Sequence, residues 1–163
     1  MAKPKLTSKD QRIIRLAHQG VTFVMEQSQQ MAAPPPDAVH AMEQMVAYAN
    51  DVHKGNLNGI ANVAAMAIRA AWQYGRTQKL PGNAVGKATV PAVAGTILHI
   101  PRKDQKRINQ TSASLLAVLL KQAKEGEDQQ RTHSIRLHLW VMYGYGRLSA
   151  AKLKGAKQTH ATA

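Results

Sequence analysis

Residues 58–78 read NGIANVAAMAIRAAWQYGRTQ, and their periodicity decides the fold. Ile60, Ala64, Ala67, Ile68, Ala71 and Trp72 recur at spacings of three and four, which places them on one face of an α-helix that Asn58 caps and that reaches about Gln78. So many alanines on that face allow a neighbouring helix to come close. The same period runs through most of the chain, Ala and Gln are abundant, and β-branched and aromatic residues are sparse. The predicted fold is therefore all-α: a compact bundle of five to six helices forming a single domain over residues 1–163. Within it, 8–154 is the expected ordered bundle and 155–163 a flexible basic tail.

Toward the N-terminus, Asp37 is the expected cap of a helix whose apolar stripe is Val39, Met42, Met45, Val46 and Ala49, with Gly55 closing it. Pro34-Pro35-Pro36 separates it from a first helix running from Lys9 to Met31. Ser8 with Gln11 resembles a capping box there, and Ile13, Ala17, Val21, Val24 and Met31 share one face. Toward the C-terminus, residues 80–87 with Pro81, Gly82 and Gly86 read as a loop. Thr89 then caps a short apolar helix that stops before Pro101. A fifth helix spans Lys103 to Lys124, basic first and then rich in leucine, with Leu115, Leu116, Val118, Leu119 and Leu120 entering the core. Glu125, Glu127 and Asp128 make a turn and cap. The last helix runs from about Gln129 toward Lys154 on a seam of Ile135, Leu139, Met142, Gly146, Ala150 and Leu153.

Composition narrows the function classes. Cysteine is absent, which removes disulfides, thiolate zinc sites and a cysteine nucleophile, and fits a reducing interior or a virion. The first seven residues are basic and then polar, with no apolar segment behind them, and do not read as a secretory signal. The apolar stretches Val63 to Ala71 and Val90 to Ile100 fall short of the ~20 residues a bilayer requires. The expected setting is the cytoplasm, with the virion as the alternative.

Charge carries the functional reading. The 163 residues hold 22 Lys and Arg against 9 Asp and Glu, a formal net charge of +13. Acids are missing between Val52 and Lys103 and again from Gln129 to the end, while cations continue through both segments. Solubility needs a net charge of only ~2–8 on a small domain. A surplus of this size repels itself unless a polyanion neutralises it, and nucleic acid is the expected partner, single-stranded and bound without regard to sequence.

Three groups of residues are the candidate nucleic-acid contacts. Arg136, Trp140, Tyr143 and Arg147 are spaced to put two cations and two rings in one line along a helix, where rings stack on unpaired bases and guanidinium groups hold phosphates. Arg102, Lys103, Lys106 and Arg107 are the densest charge cluster. They follow Pro101 at a helix start, where cations oppose the macrodipole and a phosphate would reward them. Arg69 and Arg76, beside Trp72, are a weaker version of the first group. Each has a plainer reading, in which the rings are core anchors and the cations are solvated.

Other motifs fail. The run from Gly82 to Thr89 is one residue short of a phosphate-binding loop and has Ala88 where a hydroxyl belongs. Gly144-x-Gly146 sits in a helical pattern with Ser149 in place of a third glycine. His133 and His138 are five apart, on different sides of a helix, and Glu125, Glu127 and Asp128 read as caps. No nucleophile, base and orienter assemble by spacing, so no catalytic residue, metal or cofactor is expected and the chain reads as not an enzyme.

The order of three segments resembles one family. Residues 12–17 (RIIRLA), residues 55–61 (GNLNGIA), and the run from Thr132 through Trp140 to 147–151 (RLSAA) are similar in order to the small all-helical subunit of type III CRISPR effector complexes. That resemblance implies a non-enzymatic subunit that contacts guide and target strands through basic helical faces, within a filament of repeated subunits. The expectation is thus a non-catalytic nucleic-acid-binding subunit of a larger nucleoprotein assembly, partnered by other protein subunits and away from membranes. The alternative is an internal or packaging-related bacteriophage virion protein. A helix-turn-helix regulator ranks last, because residues 52–68 offer few side chains to read base edges.

Overall fold

The computed structural model describes residues 7–52, 57–80, 89–97, 99–126 and 128–161. Among them are six α-helices and no strand: α1 (Ser8–Gln30), α2 (Pro36–Val52), α3 (Leu57–Thr77), α4 (Thr89–Ala94), α5 (Arg102–Lys124) and α6 (Arg131–Ala161), the last preceded by a 3-10 turn at Asp128–Gln130. No helix among the described residues is long and apolar enough to cross a membrane.

Helix ends follow local chemistry, with small corrections to the expected residues. Thr7, not Ser8, caps α1: its Oγ1 accepts from the Asp10 amide at 3.0 Å, and Asp10 accepts from the Thr7 amide at 3.2 Å, a closed capping box. Pro36 sits inside the start of α2 with Asp37 in its first turn, where a missing N–H costs nothing. Thr89 likewise lies within α4 and is buried. Gln78 ends α3 with φ +57°, a conformation costly for a side chain. Two hydrogen bonds help hold it there, from its Nε2 to the Gly75 carbonyl and from the Tyr143 hydroxyl to its Oε1. Helix α6 continues through residues 155–161, the stretch expected to be a tail. Gly55 and the loop over 81–88 lie outside the described residues, as does the side chain of Leu153.

The most extensive helix packing is α3 against α6, followed by α1 against α5. Residue pairing shows α3 antiparallel to α6, since Gly75 faces Tyr143 while Gly146 faces Trp72. A Cβ on Gly75 would overlap the Tyr143 carbonyl oxygen, and one on Gly146 would overlap that of Trp72. The two backbones touch. Helix α5 joins the pairs by packing on both α3 and α6, and α2 packs on α6 and α3. The core is Met42, Met45, Ile68, Trp72, Ile135, Leu139 and Met142 with their neighbours.

The seams expected for α2, α3 and α6 are the buried ones, with Val39, Ile60 and Ala150 half-buried. Helix α1 differs: it buries Gly20, Phe23 and Val24 and leaves Ile13 and Val21 exposed. Its N-terminal half is exposed along most of its surface. On α5, Leu115 and Leu119 are buried, while Leu120 is exposed.

Polar groups stitch the α5–α6 seam. Gln122 donates to Ser134 Oγ at 2.7 Å, and His138 lies between the Ser134 carbonyl at Nδ1 (2.7 Å) and Ser114 Oγ at Nε2 (2.9 Å). A neutral ring donating from Nδ1 and accepting at Nε2 satisfies both contacts. Burial pushes the His138 pKa down to about 4, against a smaller upward pull from the Ser134 carbonyl.

Two outcomes follow from this packing. Gly75→Ala gains helix propensity of about 0.5–1 kcal/mol, but its methyl meets backbone that cannot swing aside, and overpacking costs about 1–3 kcal/mol or more. Urea unfolding should therefore show net destabilisation. For His138, the unfolded ring takes up a proton at a higher pH than the folded one. Stability is full above about pH 6.5 and falls by about 3 kcal/mol as pH drops to about 4. In urea titrations across that window, His138→Gln should show a shallower decline than the parent.

Candidate nucleic-acid interface

The site is built on one buried carboxylate. Asp104, in the first turn of α5, is 5% exposed. Its Oδ2 accepts from the Trp72 indole N–H at 2.9 Å and from Ser149 Oγ at 2.8 Å. These bonds tie α5 to α3 and α6 at one point, and they answer the cost of burying both the charge and the indole N–H.

Above Asp104 is a cavity of about 540 Å³ whose walls include Phe23, Arg102, Lys103, Arg107 and Tyr145. Phe23 and Tyr145 meet edge to face, 5.6 Å between centroids and 88° between planes. The Arg107 guanidinium lies 4.4 Å from the Phe23 ring centroid and donates to Gln110 Oε1 at 3.1 Å, while Gln110 donates to Gln19 Oε1 at 3.2 Å. Arg107 is thus held in place before any ligand arrives. Burial raises the Tyr145 pKa, with the Asp104 charge and hydrogen bond adding to it and Arg107 opposing. The phenol stays protonated at neutral pH and remains a donor.

The cavity opens into a longer trough along α1. At one end it shares Gln27 and Leu148 with a depression of about 370 Å³ that Arg147 and Gln30 line. At the other it shares Phe23 and Arg107 with one of about 310 Å³, walled by His18, Gln19 and Glu26. Arg102, Lys103, Arg107 and Arg147 are therefore brought to one surface from two helices. Two acids line it: Asp104, whose Oδ2 is bonded within the fold, and Glu26 at one end.

The other expected contacts lie elsewhere, for identifiable reasons. Tyr143 is 1% exposed and its hydroxyl bonds Gln78, so it cannot stack on a base. Trp140 is half-buried against the core, and its indole N–H is enclosed without a partner among the described residues. Arg136 is spent on Glu43 of α2, through Nε to Oε1 and Nη2 to Oε2, the latter at 3.0 Å. That hydrogen bond raises the Arg136 pKa. Trp72 is wholly buried. Arg76 lies 5.2 Å from its ring centroid and donates to the His99 carbonyl at 3.2 Å, away from the trough. Arg69 and Lys106 are exposed and line none of the three trough depressions. Arg147 stays near Tyr143, at 6.0 Å from its ring centroid, but it faces the trough.

Phe23 and Tyr145 are the aromatic residues that sequence reasoning missed. Tyr145 is two residues beyond Tyr143, about 200° around the helix, so choosing one as the surface ring excluded the other. The signal available was the pair Phe23 and Gln27, one turn apart on α1 and flanked by glutamines. No group of three or more His, Cys, Asp or Glu able to hold a metal ion occurs among the described residues. Comparison of the chain with protein-family models, curated proteins and solved structures finds no match.

The Arg136–Glu43 pair is about one-third exposed on each side, 35% and 36%, so solvent screening keeps its worth low. A double-mutant cycle with Arg136→Ala and Glu43→Ala should give a coupling of about 0.5–1 kcal/mol that shrinks with added salt.

Proposed function

We propose that this protein is a non-catalytic nucleic-acid-binding subunit of a larger nucleoprotein assembly, and that it holds a single strand in the trough between α1, α5 and α6. One observation carries the reading: four cations from two helices share a concave surface with two aromatic rings. Cations hold a phosphate chain without reading its sequence, and the half-buried Tyr145 ring, backed by buried Phe23, offers a wall to an unpaired base. Glutamine amides along the trough add donors and acceptors that suit backbone or base. The net charge of +13 supplies the long-range attraction.

Membership of an assembly draws support from apolar side chains left in solvent, among them Ile14 at 54% and Met25 at 52% exposure, since exposed apolar surface marks places where another protein can dock. The assembly the sequence points to is a type III CRISPR effector complex, in the cytoplasm, with this chain as the small subunit. The all-helical fold is compatible with that role and does not single it out.

The test compares two sets of cations. Arg102→Ala/Lys103→Ala/Arg147→Ala should weaken binding to short single strands of unrelated sequence about equally. It should also reduce the slope of log affinity against log salt by about 2, since each phosphate neutralised on a single strand contributes about 0.7. Arg69→Ala/Arg136→Ala, outside the trough, should change both far less. Equal weakening by the two variants, read by fluorescence anisotropy, would show a diffuse charge effect and overturn the trough as the interface.

A further inference from the structure

We infer that the cavity over Asp104 accepts one nucleobase turned out of the bound strand, and that the Asp104 carboxylate makes it prefer a base with an amino group on the edge away from its sugar, cytosine or adenine. This inference rests on the trough being a strand-binding surface, and it adds a base preference that charge alone does not supply.

The cavity is large enough: about 540 Å³ falls within the ~300–1,000 Å³ typical of small-ligand sites. Its chemistry is sorted by depth. Arg102 and Lys103 are exposed at the rim, where a phosphate would pass. Leu148, 53% exposed, and the half-buried Tyr145 give an apolar and aromatic wall. Asp104 is the deepest charged group. A nucleotide has the same order, with anionic phosphate outside, flat ring between and polar ring edge inward.

The floor decides the selectivity. An ionised carboxylate is acceptor only. Both hydrogen bonds from Trp72 and Ser149 go to Oδ2, which fixes the carboxylate and leaves Oδ1 to receive a donor from a ligand. Anchoring Trp72 would be served by a neutral acceptor, at no electrostatic penalty toward a phosphate chain. A charged acceptor at the bottom of a cationic cavity instead rewards a donor entering from above. Cytosine, at N4, and adenine, at N6, carry an amino group on the edge away from the sugar, whereas guanine presents its O6 carbonyl there. Uracil and thymine present carbonyl oxygens there, which a carboxylate repels.

The experiment uses the full chain and oligouridine strands with one internal guest: cytidine, uridine or an abasic residue. The parent protein should bind the cytidine strand about tenfold more tightly than all-uridine, the scale of one added hydrogen bond to a charged group. The abasic strand should show no such gain. Asp104→Asn keeps an acceptor for Trp72 and Ser149 while adding an amide donor, and should abolish or reverse the cytidine preference. Equal binding of the cytidine and uridine strands by the parent protein overturns the inference and leaves the strand-binding reading standing. Retention of the preference in a folded Asp104→Asn variant overturns the role of Asp104. No binding of any strand overturns the strand-binding reading and the inference together. The parent comparison needs no variant, so it decides even if Asp104→Asn does not fold.

Discussion

The backbone contact between α3 and α6 is the constraint on which the rest of the structure depends. Gly75 and Gly146 let the helices approach until the carbonyls of Tyr143 and Trp72 occupy the space of missing side chains. At that spacing Trp72 is wholly enclosed, and its indole N–H must find an acceptor within the protein. Asp104 is that acceptor, with Ser149 of α6 as its second donor. Close packing of small residues in one half of the bundle thereby positions a charged group of α5. Removing either partner would leave a buried group unsatisfied, and buried pairs broken on one side are costly.

Helix α6 is central. It packs against α1, α2, α3 and α5, so its side chains are buried around much of its circumference between Ser134 and Gly146. Two of the polar groups within it are paired across the α5 seam: His138 with Ser114 and the Ser134 carbonyl, and Ser134 with Gln122. A helix so enclosed has no wide solvent face on which a row of bases could stack. Its cations divide accordingly, Arg136 to the α2 side with Glu43, and Arg147 to the trough.

A trough with exposed cations at its rim and Arg107, Tyr145 and buried Phe23 further in separates two jobs. Arg102 and Lys103 at the rim are screened by solvent, and each contributes little alone. In the proposed reading they and Arg147 would act through release of counterions from a strand, an additive and salt-sensitive effect. Arg107 is different because Phe23 and Gln110 fix it before binding, so less conformational freedom is given up when it meets an anion. Rim charge then supplies attraction, while the fixed inner groups supply geometry.

The helices themselves were legible in the sequence, because periodicity at three and four residues, prolines and caps act within a few residues of chain. The seams of α2, α3 and α6 and the surplus of positive charge could be read the same way. Which cations share a surface could not. Arg136, Tyr143 and Arg147 lie along one line of a helix, yet packing assigned them to an ion pair, the core and the trough. Phe23 and Tyr145 stand near opposite ends of the chain and edge to face in the fold. Local sequence sets how each helix is formed and which face is apolar. Only tertiary packing, through the near contact of two glycine-bearing helices, decides which polar groups are enclosed, which are paired and which remain free to meet a ligand.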